Sequence, residues 1–300
     1  MLARCVPLGE AGVVAVTGLL AWITERHPLL LSPLGPWDFS WPAVLATGFG
    51  LLWFRRGLAQ APMPAWRRTT FLLGLASIYA VLLTRFEFLA QHMFFLNRVQ
   101  HLVMHHFGPF LIALSWPGGT IAAGMPPLLR RCCTTAPVRH AMRVLQQPLV
   151  AIVLFEGLLV LWLVPPITFR AMFDARLYAV MNASMVIDGL LFWFLVLDPR
   201  PAPPAPAGFF TRLVLGFVII FPQIAVGTLI GMARTDLYPS FALCGRVFPA
   251  ISAIEDQQIG GMVLWVPAGM MSSIAAVLIM RRMFAHDDRM ALLQPEGAVR

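Results

Sequence analysis

An all-α, polytopic transmembrane helix bundle is predicted by three features of this sequence. Of its 300 residues 59% are hydrophobic and only 12% charged, whereas soluble domains carry about 25% charged residues. Its apolar residues fall in long runs that suit a bilayer core, which needs about 20 residues per helix. Its 22 basic residues, all arginine, lie mostly between those runs. A soluble surface of any size is excluded by this composition. The net charge of +8 does not denote nucleic acid, because the arginines share no amphipathic or aromatic-interleaved face.

The elements follow in chain order. Residues 11–23, preceded by Arg4, form an apolar run of 13 residues. That is short for a span, so residues 1–36 read either as a signal-like segment or as an eighth helix. Seven longer runs follow, at 39–54, 69–84, 99–116, 149–164, 179–197, 209–231 and 259–280. Each is expected to be a helix, because a helix satisfies its own backbone hydrogen bonds in lipid. They make up a seven-helix membrane domain over 37–282, followed by a cytoplasmic tail over 283–300. The stretch from Asp198 to Pro206 holds five prolines and reads as a stiff connection, since proline fixes its own φ and cannot continue a helix. No internal repeat is visible.

Orientation comes from the arginines. With alternating spans, fifteen of them, including Arg55, Arg56, Arg67, Arg68, Arg130, Arg131, Arg139 and Arg143, fall on one side and seven on the other. The positive-inside rule then makes the first side cytoplasmic in a multi-pass protein of the bacterial inner-membrane type. Cys5, Cys132, Cys133 and Cys244 show no CxxC or CxC spacing, so neither a zinc site nor a disulfide framework is indicated. Inert apolar packing is expected of them.

Polar residues inside apolar runs are costly and mark function by default. The densest group is Gln91-His-Met-Phe-Phe-Leu-Asn-Arg-Val-Gln-His-Leu-Val-Met-His-His-Phe-Gly-Pro109, which holds His92, His101, His105 and His106. On an α-helix Asn97, His101 and His105 share one face, with Met104 beside them. Imidazole and thioether together suit copper. Hydrogen bonding at the membrane interface is the other reading of these histidines. Pro109 lacks the amide that would bond the His105 carbonyl, so a bend is expected there.

Glu156 and Asp188 sit within later spans, where each is open to a proton-relay, ligand or helix-bonding role. Asn182 lies six residues before Asp188 on the same helix. Glu255 and Asp256 open the last span, where negative charge favours a helix N-terminus. Gly260 and Gly261 then allow close helix packing. The histidines, Asn182 and Asp256 all fall toward the outer leaflet, which points to one polar site facing outward.

Three motifs carry a family resemblance that covers most of the chain, from about Trp37 to Arg282. They are Gln100-His101 with the apolar run to Pro109 and Leu-Ser-Trp-Pro117; Met181-Asn-Ala-Ser-Met-Val-Ile-Asp-Gly189 continuing to Asp198-Pro-Arg-Pro201; and Asp256-Gln-Gln-Ile-Gly-Gly261 with Trp265-Val-Pro267. The sequence resembles the CtaG family of membrane-embedded cytochrome c oxidase assembly proteins. That resemblance implies a non-enzymatic role in maturing a haem–copper oxidase, with oxidase subunits as partners and copper acquired or inserted at the outer face. It carries His101 and Asp256 as functional residues and Gly261 and Trp265 as scaffold. The family pattern has histidines where this chain has Asn97 and Asn182. Asparagine is a poor copper ligand, so direct binding here calls on His92, His105 or His106. Two other functions are weighed against this one: an ion or proton transporter using Glu156 and Asp188, and a haem-b carrier. The latter needs axial ligands facing each other across helices, whereas these four histidines lie on one segment.

Overall fold

The computed structural model describes residues 40–243 and 245–293. The expected N-terminal segment, Cys5 and Cys244 lie outside them. Among the described residues the secondary structure is all helical. In order the helices are α1 (Trp41–Leu58), α2 (Ala65–Leu82), α3 (Phe86–His92), α4 (Phe94–Leu102), a π-helical turn (Val103–Phe107), α5 (Gly108–Ser115), α6 (Gly118–Gly124) and α7 (Pro127–Cys133). They continue as α8 (Ala136–Leu145), α9 (Pro148–Leu161), α10 (Pro165–Phe173), α11 (Ala175–Val196), α12 (Phe209–Val218), α13 (Ile220–Met232), α14 (Ser240–Leu243) and α15 (Ala253–Leu293).

Three of these units are long and apolar enough to cross a bilayer: α11, the run Phe209–Met232 formed by α12 and α13, and α15. Two bent pairs, α2 with α3 (54°) and α8 with α9 (71°), bring the number to as many as five. The protein is therefore a multi-pass membrane protein. The run expected as one span over 99–116 is built from three pieces, α4, the π turn and α5. Extended backbone at Met93 (φ −142°, ψ 129°) separates α3 from α4. At the other end Trp116 adopts the left-handed conformation (φ 51°, ψ 59°) before Pro117. The bend between α8 and α9 has a local cause too: Gln147 precedes Pro148 and is extended (ψ 132°), as a residue before proline prefers.

Helix α15 has 41 residues and a length of about 60 Å at 1.5 Å per residue. That is roughly twice a bilayer core, and the helix continues unbroken through residues 283–293. Its middle crosses α13 at Gly227 and Gly261. A Cβ on Gly261 would stand 2.6 Å from the Gly227 carbonyl oxygen, and one on Gly227 would stand 2.7 Å from that of Gly261. Only hydrogen at both positions permits backbones this close.

The proline-rich connection is held at both ends. Fully buried Arg212 donates to the carbonyl oxygens of Ala207, Asp198 and Arg200, and Arg282 donates to Leu197 O at 2.7 Å. Asp198 accepts from Arg200 Nε and NH2 at 2.9 and 2.7 Å, which raises the guanidinium above its ordinary pKa. Residues 126–144, which include α7 and most of α8, are exposed throughout. Cys132 and Cys133 are thus exposed rather than packed in apolar surroundings, because α7 lies on the outside of the bundle.

Candidate functional site: a buried histidine cavity

The site is built on the π turn. In a regular α-helix His101 and His105 stack while His106 points about 100° away. The π turn admits one residue more per turn, so that His101 on α4 and both His105 and His106 line one small cavity. Arg98, Leu102, Leu159, Met185 and Leu264 complete its wall. All three imidazoles are buried, at 5%, 0% and 2% exposure.

Local contacts fix each ring. His105 Nε2 lies 3.2 Å from Asp188 Oδ2 on α11, and its ring stacks on Phe155 of α9 at 3.9 Å. His106 stands edge-on to His105 at 5.1 Å and to Phe155 at 5.0 Å. Beneath them α11 approaches at Gly189, where a Cβ would overlap the His105 carbonyl. That carbonyl is the one whose α-helical donor Pro109 removes. Pro109 and Gly189 together therefore account for the irregular backbone and for its close contact with α11.

Asp256 holds the front end of the histidine helix. Its Oδ2 and Oδ1 accept the backbone N–H groups of Phe94 and Phe95 at 2.9 and 2.7 Å, and its Oδ2 also accepts from Arg246 at 2.8 Å. The first turn of a helix has unsatisfied donors, and here a carboxylate from a different helix satisfies two of them. Gly260, one turn along α15, makes room for the Phe94 ring and the Arg98 stem. Gln257 bonds Ile230 O at 3.0 Å and the Leu237 N–H at 2.8 Å, closing the end of α13. Trp265 packs on Gly227. The Asp256–Trp265 motif thus joins α15 to α4 on one side and to α13 on the other.

The remaining candidates are placed elsewhere. Met104 is fully buried in the apolar cluster that also holds Phe54, Phe71, Met181 and Met185; of these methionines Met185, not Met104, lines the cavity. His92 sits at the end of α3, its Nδ1 2.7 Å from Phe88 O, and does not line the cavity. Asn97 receives a hydrogen bond from Arg98 NH2. Asn182 lies beside the Tyr178 hydroxyl, which donates to Gln100 Oε1 at 3.1 Å. Glu156 accepts from Gln223 of α13 at 2.8 Å. Arg98, Met185, Gln257 and Gly189 are structural participants to which sequence spacing assigned no role. A proline four residues after a histidine was the one local signal of the irregular turn.

The donors suit copper by type. His101 Nε2, His105 Nδ1 and both nitrogens of His106 have no hydrogen-bond partner, and imidazole is a good copper ligand. Their arrangement is less complete: among the described residues no three His, Cys, Asp or Glu side chains converge to hold a metal ion.

A multi-helix membrane protein whose last long helix clamps a histidine-bearing helix around a buried cavity is the class defined by this fold and site. Residues 47–286 match the family model described as cytochrome c oxidase caa3 assembly factor (Caa3_CtaG), and the chain belongs to that family. No curated protein and no solved structure matches it. Family membership carries, in coarse terms, a role in cytochrome c oxidase assembly.

Proposed function

We propose that the protein assists assembly of a cytochrome c oxidase by receiving copper as cargo in the His101–His105–His106 cavity and passing it to an oxidase subunit. The observation that carries this reading is the set of buried imidazole nitrogens without partners. Buried polar atoms are normally satisfied, and a group of open imidazole nitrogens around one cavity is what a bound ion would complete. Met185 adds a soft sulfur to the cavity wall, and soft ligands favour Cu(I). Fewer than three converging protein ligands is a poor arrangement for storage but a suitable one for transfer, since cargo must also leave. With the arginine-rich connections cytoplasmic, the cavity lies toward the outer half of the bacterial inner membrane.

The test is made on the oxidase. In a strain lacking this protein, oxidase should be isolated with haem present and copper depleted, and excess copper in the medium should restore activity in part. Fully metallated oxidase from that strain would refute the proposal. A second reading, proton transfer through the membrane, draws on the 3.2 Å His105–Asp188 contact. It predicts proton flux in liposomes that is lost in Asp188→Asn, and cargo transfer predicts none.

A further inference from the structure

The structure holds two fully buried arginines among its described residues, and they are treated very differently. Arg212 meets three carbonyl oxygens. Arg98, 2% exposed, donates from NH2 to the side-chain amide of Asn97 and lies over the Phe94 ring at 5.0 Å. Its Nε has no partner. The ion pairs found among the described residues are His105–Asp188, Arg200–Asp198 and Arg246–Asp256, and none includes Arg98. The Asp256 carboxylate is already engaged by Arg246 and by two backbone N–H groups. A guanidinium keeps its charge at any working pH, and a buried charge without a counter-charge is strongly unfavourable.

Arg98 also lines the histidine cavity, where His101 Nε2 and both His106 nitrogens lack partners. A neutral imidazole has one N–H donor, so the cavity wall offers a fixed positive charge flanked by hydrogen-bond donors. We propose that this cavity binds a carboxylate group at Arg98. The planar fork of a guanidinium matches the two oxygens of a carboxylate. This deepens the copper reading and rests on it only in part. A Cu(I) ion beside Arg98 would put two positive charges in one low-dielectric space, where like charges repel strongly. A carboxylate neutralises one charge and adds the ligand that the imidazoles do not supply.

The test uses purified, copper-free, full-length protein in detergent, titrated with acetate at constant ionic strength and followed calorimetrically. Wild type should bind acetate. Arg98→Gln should weaken binding by about tenfold or more, the usual effect of losing a charged hydrogen-bond donor, and Arg98→Lys should fall between, since it keeps the charge without the fork. Leu102→Trp narrows the cavity without touching the charge and should weaken binding as well, which keeps the test valid where Arg98→Gln does not fold.

N-acetylaspartamide, the aspartate side chain on a short backbone, separates the two sources of a carboxylate. Binding equal to acetate assigns the group to an acidic side chain of a partner, and binding by acetate alone assigns it to a free acid; either upholds the site. Equal acetate binding by wild type, Arg98→Gln and Leu102→Trp, all well folded, would overturn it. Copper binding measured separately keeps the readings apart, because acetate binding without copper binding removes the cargo proposal alone.

Discussion

Replacing Asp256 with alanine removes an acceptor for two backbone N–H groups and an ion pair at once. The carboxylate is 1% exposed, and the Arg246 side chain facing it is 16% exposed. Each charge-assisted hydrogen bond contributes about 1.5–3 kcal/mol, but the gains are not additive, and the carboxylate's own desolvation is relieved by the mutation. Breaking one partner of a buried pair costs roughly 3–5 kcal/mol, which is the figure expected for Asp256→Ala. Asp256→Asn keeps one oxygen but turns an NH2 toward a backbone donor, so it should recover less than half of that loss. The assay is thermal unfolding in detergent, paired with hydrogen exchange at the amides of Phe94 and Phe95. Both variants should melt earlier, and those two amides should exchange faster than the rest of α4. A variant that melts like wild type with both amides still protected would refute the capping role of Asp256 and the claim that α15 sets the position of the histidines.

Three further outcomes follow. Gly261→Ala should destabilise by about 1–3 kcal/mol, the usual cost of overpacking, because its Cβ would meet the Gly227 backbone; Gly269→Ala on the same helix meets nothing nearer than 3.9 Å and should melt like wild type. Glu156→Gln preserves an acceptor for Gln223 and should leave oxidase activity in cells near wild type, whereas Asp256→Ala lowers it; equal loss from both would favour a proton relay. In a background without Cys5 and Cys244, exposed Cys132 and Cys133 should react with a membrane-impermeant maleimide in inside-out vesicles and not in intact spheroplasts, and the reverse pattern would invert the orientation.

What the sequence reveals and what it hides divide along physical lines. Apolar runs and prolines report on local backbone, so the irregular backbone before Pro109, the stiff connection from Asp198 to Pro206 and the close helix packing at Gly261 are visible without coordinates. Helical spacing presumes 3.6 residues per turn, and the π turn breaks that presumption at the functional segment. It brings His106 to the cavity, while Asn97 and Met104 face elsewhere. Asp256 reads locally as a cap of its own helix, because nothing in a single sequence marks a carboxylate that caps a helix 162 residues away. Arg98 counts as a flanking charge in the orientation argument, yet it is buried. A charge count registers that a residue is basic and says nothing about its solvent.

The central claim is that the clamped cavity of His101, His105 and His106 accepts copper. The most direct measurement is anaerobic titration of the purified protein with Cu(I) against a colorimetric chelator, comparing wild type with His101→Ala/His105→Ala. Wild type should withdraw one copper per chain from the chelator, while the double variant, equally folded by circular dichroism, withdraws none. Failure of wild type to compete at all, or equal competition by both proteins, would contradict the account.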